Sequence, residues 1–119
     1  MSLPLRMRVL ENQPPVVEIK IMPGLFVKQM LLERAGTYVP QHSHATGHLS
    51  MLAVGSVHAW KGDQFMGTYH APTGIPIEAG IKHTFRSLVD NTLIYCIHRV
   101  GPGGDPEVLE EHEFEGSVV

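Results

Sequence analysis

Eight of the 119 residues are histidine, the side chain most often used to hold a transition metal and to pass protons near neutral pH. Three of them, His42, His44 and His48, fall in one short stretch, and His83 follows later in the chain. His42 and His44 are two residues apart, so on an extended segment both imidazoles project to the same side. His48 keeps that parity beyond Ala45, Thr46 and Gly47, which could turn the chain into a neighbouring strand. His83 comes after Ala79 and Gly80, with Phe85 next on its face. Four neutral ring nitrogens converging from two or three strands suit one divalent Zn, Fe, Ni, Mn or Cu ion, and not Mg or Ca, which prefer oxygen. A plainer reading stands beside this one: alternate histidines on a solvated strand face, or His44 with His48 as an i, i+4 pair on a helix, need no metal at all. His58, His70, His98 and His112 show no partner spacing and read as surface or satisfied core residues, although the last strand could turn His98 toward the same cavity. Cys96 is the single cysteine, which leaves no internal disulfide and no thiolate cluster, so any metal is held by His or carboxylate.

The elements that must position these residues read as strands. VVEIKIM (Val16 to Met22) follows two prolines, is β-branched and stops at Pro23 and Gly24, and LFVKQMLLE stops at Ala35 and Gly36. HLSMLAV, SVHAW, QFMGTYHA, KHTFRSLV and TLIYCIHRV follow, each closed by Gly, Pro, Asp or Asn. About seven short strands with turn residues between them, and no long amphipathic helix, predict an all-β sandwich or closed barrel. ATGHLSMLAV has helix-compatible Ala, Leu and Met, but Gly47 and its β-rich flanks favour a strand. The expected organisation over residues 1–119 is a single domain: an arm over 1–15, a barrel over about 16–100, and an acidic tail over 101–119.

Composition narrows the function. An apolar fraction of 43 % with 18 % charged residues describes a folding chain. Nine basic against twelve acidic residues, with no Lys/Arg cluster, predicts no nucleic-acid partner. Nothing approaches the roughly 18 apolar residues of a membrane span, and the start has no secretory pattern, so the expected location is the cytoplasm. Cys96 reads as a small buried hydrophobe, and Tyr69, Phe65 and Trp60 as core or barrel packing in preference to a ligand-stacking platform.

The stretch GTYVPQHSHATGHLSMLAVG, Gly36 to Gly55, resembles the first motif of the cupin superfamily, G-x5-H-x-H-x3-E-x6-G, with His48 where that family usually has Glu. IEAGIKHTF, Ile77 to Phe85, resembles the second motif, P-x-G-x2-H-x3-N: Gly80 and His83 match, while Glu78 replaces Pro and Ser87 stands in the Asn position. The resemblance spans about Val16 to Val100. It implies a small antiparallel barrel or jelly roll of six to eight strands, and it carries the ligand role onto His42, His44 and His83, with His48 in the Glu position. It also makes a homodimer plausible, in which the strand near Val16 to Met22 covers a partner's sheet edge.

Two functions follow as expectations. One is a metalloenzyme of dioxygenase, isomerase or lyase class acting on a small anionic or oxygen-rich molecule. The other is a non-catalytic small-molecule-binding or sensor module with a structural metal. Four neutral histidines leave the full charge of a divalent metal uncancelled, which makes the centre attractive to anions. Candidates for a general base are Tyr38, Tyr69, Tyr95, Glu78 and His98, and Ser50 shares the parity of His48 and contributes space. The purified protein is expected to bind about one transition metal per chain, as metal analysis would show, with replacement of His42, His44 or His83 by Ala weakening binding sharply and His48→Glu retaining it. A wild type left metal-free after supplementation with zinc, iron, nickel and manganese would end this reading.

Overall fold

The computed structural model describes residues 14–43 and 47–99, with the side chains of residues 40–42 outside that description. Most of the predicted arm, the tail over 101–119, His44 and His112 therefore lie outside the described residues. Nine strands run in chain order: β1 (Val16–Met22), β2 (Leu25–Leu32), β3 (Tyr38–His42), β4 (His48–Val54), β5 (Ser56–Lys61), β6 (Gln64–His70), β7 (Thr73–Ile77), β8 (His83–Ser87) and β9 (Thr92–Arg99). The all-β expectation holds, and seven of the strands match the predicted runs. β3 and β7 are additional. Pro40 and Pro76 obscure them in the sequence, because proline removes a ladder donor and demotes a run as a strand.

The strands form two antiparallel sheets, one ordered β1-β2-β9-β4-β7 and the other β3-β8-β5-β6. Each sheet is built by period-two alternation. In β2, Phe26, Lys28, Met30 and Leu32 are buried while Val27, Gln29 and Leu31 between them are half-buried. In β9, Thr92, Ile94, Cys96 and His98 take the inner side. Met30, Leu52 and Ile94 from the larger sheet and Val39, Val57, Ala59 and Phe85 from the smaller one make a common core.

The chain passes from the first sheet to the second between β2 and β3, and hydrogen bonds hold that crossing. Ser87 Oγ donates to Arg34 O at 2.9 Å and accepts from Thr37 N–H at 3.0 Å, while Thr37 Oγ1 donates to Arg34 O at 2.6 Å. Gly36 N–H adds a bond to Ser87 O at 2.7 Å. Ser87 thus ties β8 to the start of β3 at the end of the fold away from His83.

Gly55 joins β4 to β5 with φ at +91°, a conformation that side chains rarely adopt. A Cβ there would also collide with the Thr92 side chain and come within 3.0 Å of the Thr92 backbone. Gly55→Ala should therefore cost about 2 kcal/mol or more, combining left-handed strain with a clash against β9. Urea unfolding of the variant measures the loss, and a midpoint equal to wild type would contradict it.

Candidate metal and ligand site

The inward side chains of the larger sheet form rows across the strands. In the row nearest one end, Phe26 lies opposite His98 and His48 opposite Ile77. The His48 and His98 rings stack between them, with centroids 4.1 Å apart and planes at 24°. Two residues further along the strands, Lys28 pairs with Cys96, Cys96 with Ser50, and Ser50 with Ile75. The next row is apolar, with Met30 opposite Ile94 and Ile94 opposite Leu52. In the smaller sheet His83 is flanked by His42 on β3 and Lys61 on β5, and two residues along, Phe85 pairs with Ala59.

The strands therefore distribute the predicted ligands over both sheets. His42 and His83 are direct cross-strand partners in the smaller sheet, and His48 stands on β4 in the larger one. His44 lies outside the described residues, as does the side chain of His42. Among the described residues, no group of three or more His, Cys, Asp or Glu side chains gathers closely enough to hold a metal ion.

His83 has the geometry of a prepared ligand. It is 1 % exposed, and its Nδ1 lies 3.0 Å from the Ile81 carbonyl, to which only a protonated nitrogen can donate. That bond selects the tautomer with a lone pair on Nε2, and His83 Nε2 is buried with no hydrogen-bond partner among the described residues. A ring held by a carbonyl on one nitrogen and left with a bare lone pair on the other is the usual arrangement of a histidine that binds metal. His83 thus offers one ring nitrogen suited to a transition metal, while the described residues gather no set of three donors around a common point.

The general-base candidates fall mostly outside the barrel. Tyr38 is 51 % exposed on the outer face, where the Arg86 guanidinium lies over its ring at 5.2 Å. Tyr95 alternates with buried Ile94 and Cys96 and so faces outward. Glu78 is exposed and accepts a charge-assisted hydrogen bond from Lys61 Nζ at 2.6 Å, which holds its carboxyl below the usual range. Tyr69 packs against the core. Only His98 lies with His48 inside. Trp60 and Phe65, expected as packing residues, instead form an outer-face cluster with His58, the Trp60 and Phe65 rings 5.5 Å apart. Tyr38, Trp60, Gly62, Asp63 and Thr84 line an open cleft of about 340 Å³ there.

Sequence reasoning missed Lys28, which is fully buried on the inner face of β2. Its parity with Phe26 and Met30 in LFVKQMLL was the available signal. Desolvation pushes its ammonium down to about 8. Cys96, also expected to be buried, is 0 % exposed, and burial pushes its thiol up to about 11 against the opposing pull of Ser50 and Lys28. Ser50 Oγ lies 3.5 Å from both Cys96 Sγ and His48 Nε2.

No family model and no curated protein matches the sequence. Solved structures do match in shape. An RmlC-like cupin protein with a double-stranded β-helix fold from Methanocaldococcus jannaschii superposes with a TM-score of 0.64 at 15 % identity, covering 77 % of this chain and 85 % of its own. A cupin-2 domain protein from Shewanella frigidimarina gives 0.59 at 21 % identity over 79 % of this chain and 89 % of that one. Bacillus subtilis oxalate decarboxylase, a protein with Mn(II) centres, gives 0.65 at 14 % identity over 91 % of this chain but 34 % of its own length. The two antiparallel sheets thus form a double-stranded β-helix of the cupin type.

Lys28 and Cys96 act on stability with opposite signs. Lys28 sits at about 8 in the fold against an ordinary 10.5, so above about pH 8 the unfolded chain holds the extra proton and stability rises with pH. Cys96 sits at about 11 against an ordinary 9.0, so above about pH 9 the fold holds the extra proton and stability falls. Together they give a rise of about 1 kcal/mol between pH 8 and 9 and a plateau above it. In Lys28→Met the rise should vanish and only the fall remain. Urea unfolding of both proteins across this range tests the pair, and parallel curves would refute it.

Proposed function

We propose that this chain is a metal-binding cupin in which His42, His44, His48 and His83 hold one divalent transition metal beside a pocket for a small anionic or oxygen-rich ligand. The observation that carries the reading is His83, whose Nδ1 is committed to Ile81 O while its buried Nε2 has no hydrogen-bond partner among the described residues. A metal bound there would supply a Lewis acid whose charge no ligand carboxylate cancels. The chain's own contribution is enclosure: Phe26, Ile77 and Phe85 keep water from the inner ends of the histidines, and the Lys61–Glu78 pair keeps its charges near the His83 strand.

Dioxygenase, isomerase and lyase chemistry all suit such a centre. A non-catalytic binding or sensor module is the second reading, and one observation favours it: Tyr38, Tyr95 and Glu78 face away from the barrel interior. A homodimer is a further part of the proposal, since β1 ends its sheet and leaves Val16, Ile21 and Met22 at 50 %, 55 % and 59 % exposure.

Cobalt-substituted protein should change its visible spectrum when oxalate or a 2-oxo acid is added, and change less with carboxylates that cannot chelate. His48→Glu, by adding one negative charge at the centre, should weaken anion binding ten- to a hundredfold, about 1–3 kcal/mol, with the fold intact. A closed tetrahedral spectrum that no anion moves would remove the enzyme reading and leave a structural metal.

A further inference from the structure

We propose that the open cleft on the outer face of the smaller sheet, bounded by Tyr38, Trp60 and Asp63, binds one neutral sugar ring, at a site separate from the histidine end of the barrel. The reading of a metal centre is not needed for it. Trp60 and Phe65, expected from the sequence to pack, take the ligand-stacking role instead, because their strands place them outside the core.

Strand register builds the cleft. β8 turns His83 and Phe85 inward, so Thr84 and Arg86 between and beyond them belong to the outer face. Trp60 is the cross-strand partner of Thr84 on one side, and Tyr38 that of Arg86 on the other. With Gly62 and Asp63 from the turn after β5, Tyr38, Trp60 and Thr84 line about 340 Å³, within the range of small-ligand pockets. The Tyr38 and Trp60 rings lie 6.3 Å apart with planes at 35°. A guest between two rings needs about 7 Å, twice a carbon contact of about 3.5 Å, so these two form one wall and not a slot. Phe65, 51 % exposed, extends that wall beyond Trp60, and Arg86 steadies Tyr38 by lying over its ring. Thr84 is 8 % exposed, and its Oγ1 has no hydrogen-bond partner among the described residues. A Cβ added at Gly62 would meet nothing within 4 Å, so the Asp63 end is open.

The lining selects the class of guest. An anion would meet the Asp63 carboxylate and be repelled. A quaternary cation would compete with Arg86, which already takes one face of Tyr38, and would approach exposed Lys82, whose carbonyl accepts from Gly62 N–H at 2.7 Å. A flat aromatic guest would stack but bring Asp63 and Thr84 no donor. A sugar ring satisfies every part of the lining: its C–H groups meet the negative faces of the aromatic rings, and its edge hydroxyls donate to Asp63. Lys61 does not compete for that carboxylate, because it is paired with Glu78 at 2.6 Å. A hydroxyl that reaches the floor supplies the partner that Thr84 Oγ1 lacks. A free monosaccharide and the end of a sugar chain share this chemistry.

Trp60 is the only tryptophan in the chain, so tryptophan fluorescence of the wild type reports directly on the cleft. Titration with the methyl glycosides of glucose, galactose and mannose should give a saturable change at millimolar concentration for at least one of them. Tetramethylammonium and acetate should give none over the same range. A signal unmoved by all three sugars, or moved as much by tetramethylammonium, would overturn the assignment. Asp63→Ala, on an exposed turn, should bind the preferred sugar at least tenfold more weakly, and unchanged affinity counts against the proposal. Metal-free and metal-loaded protein should bind the sugar alike, and oxalate should not displace it. Displacement by oxalate would put the sugar inside the barrel and refute the outer site, whereas a chain that takes up no metal refutes the metal centre and leaves the sugar result standing. The disaccharide of the preferred sugar separates the two sources: tighter binding than the methyl glycoside identifies a chain end as the occupant, and equal binding identifies a single sugar.

Discussion

Face-to-face closure of two antiparallel sheets is the constraint on which the site depends. Each strand contributes alternate side chains to a shared interior, so any polar residue at an inward position is committed to that interior. Met30, Leu52 and Ile94 meet Val39, Val57 and Phe85 there, and this apolar contact holds the sheets in the register that brings the histidine strands into opposition. β3 and β4 are consecutive in the chain but belong to different sheets. A short sequence stretch therefore places His42 and His48 on opposite walls, and β8 returns His83 to the side of His42.

The interior is graded in polarity along the strands. Histidines occupy one end, Lys28, Cys96 and Ser50 the middle, and aliphatic side chains the layer beyond. Burial acts on the two titratable middle groups in opposite directions, lowering the amine and raising the thiol, as expected when the charged form of each loses water. The outer faces behave differently: Trp60, Phe65 and His58 cluster on the smaller sheet, and Arg86 covers Tyr38.

Most of the strand framework could be read from the sequence, because β-branched runs ending at Gly, Pro, Asp or Asn coincide with strand ends. β3 and β7 were hidden by Pro40 and Pro76, which occupy strand positions that a propensity reading rejects. Parity puts His48 on the face of His42 and His44, and His83 on the face of Phe85; that His48 and His83 turn inward is read from their burial. His98 has no partner spacing, although the last strand can turn it toward the same cavity, and its place beside His48 depends on the pairing of β4 with β9, far apart in sequence. Tyr38 and Glu78 could not be sorted from sequence because the direction of a side chain depends on which sheet takes the strand. Trp60 was misread for a related reason: an aromatic in an alternating run is as compatible with the outer face as with the inner one.

Ser87 and its bonds to Arg34 and Thr37 lie at the far end of β8 from His83. The bonds that close the fold and the buried histidine thus stand at opposite ends of one strand. In evolutionary terms the two ends are separable modules. Drift in the histidine-bearing segments leaves untouched the bonds that hold the crossing between the sheets, and so a barrel of this kind can rebuild one end without first surrendering its shape.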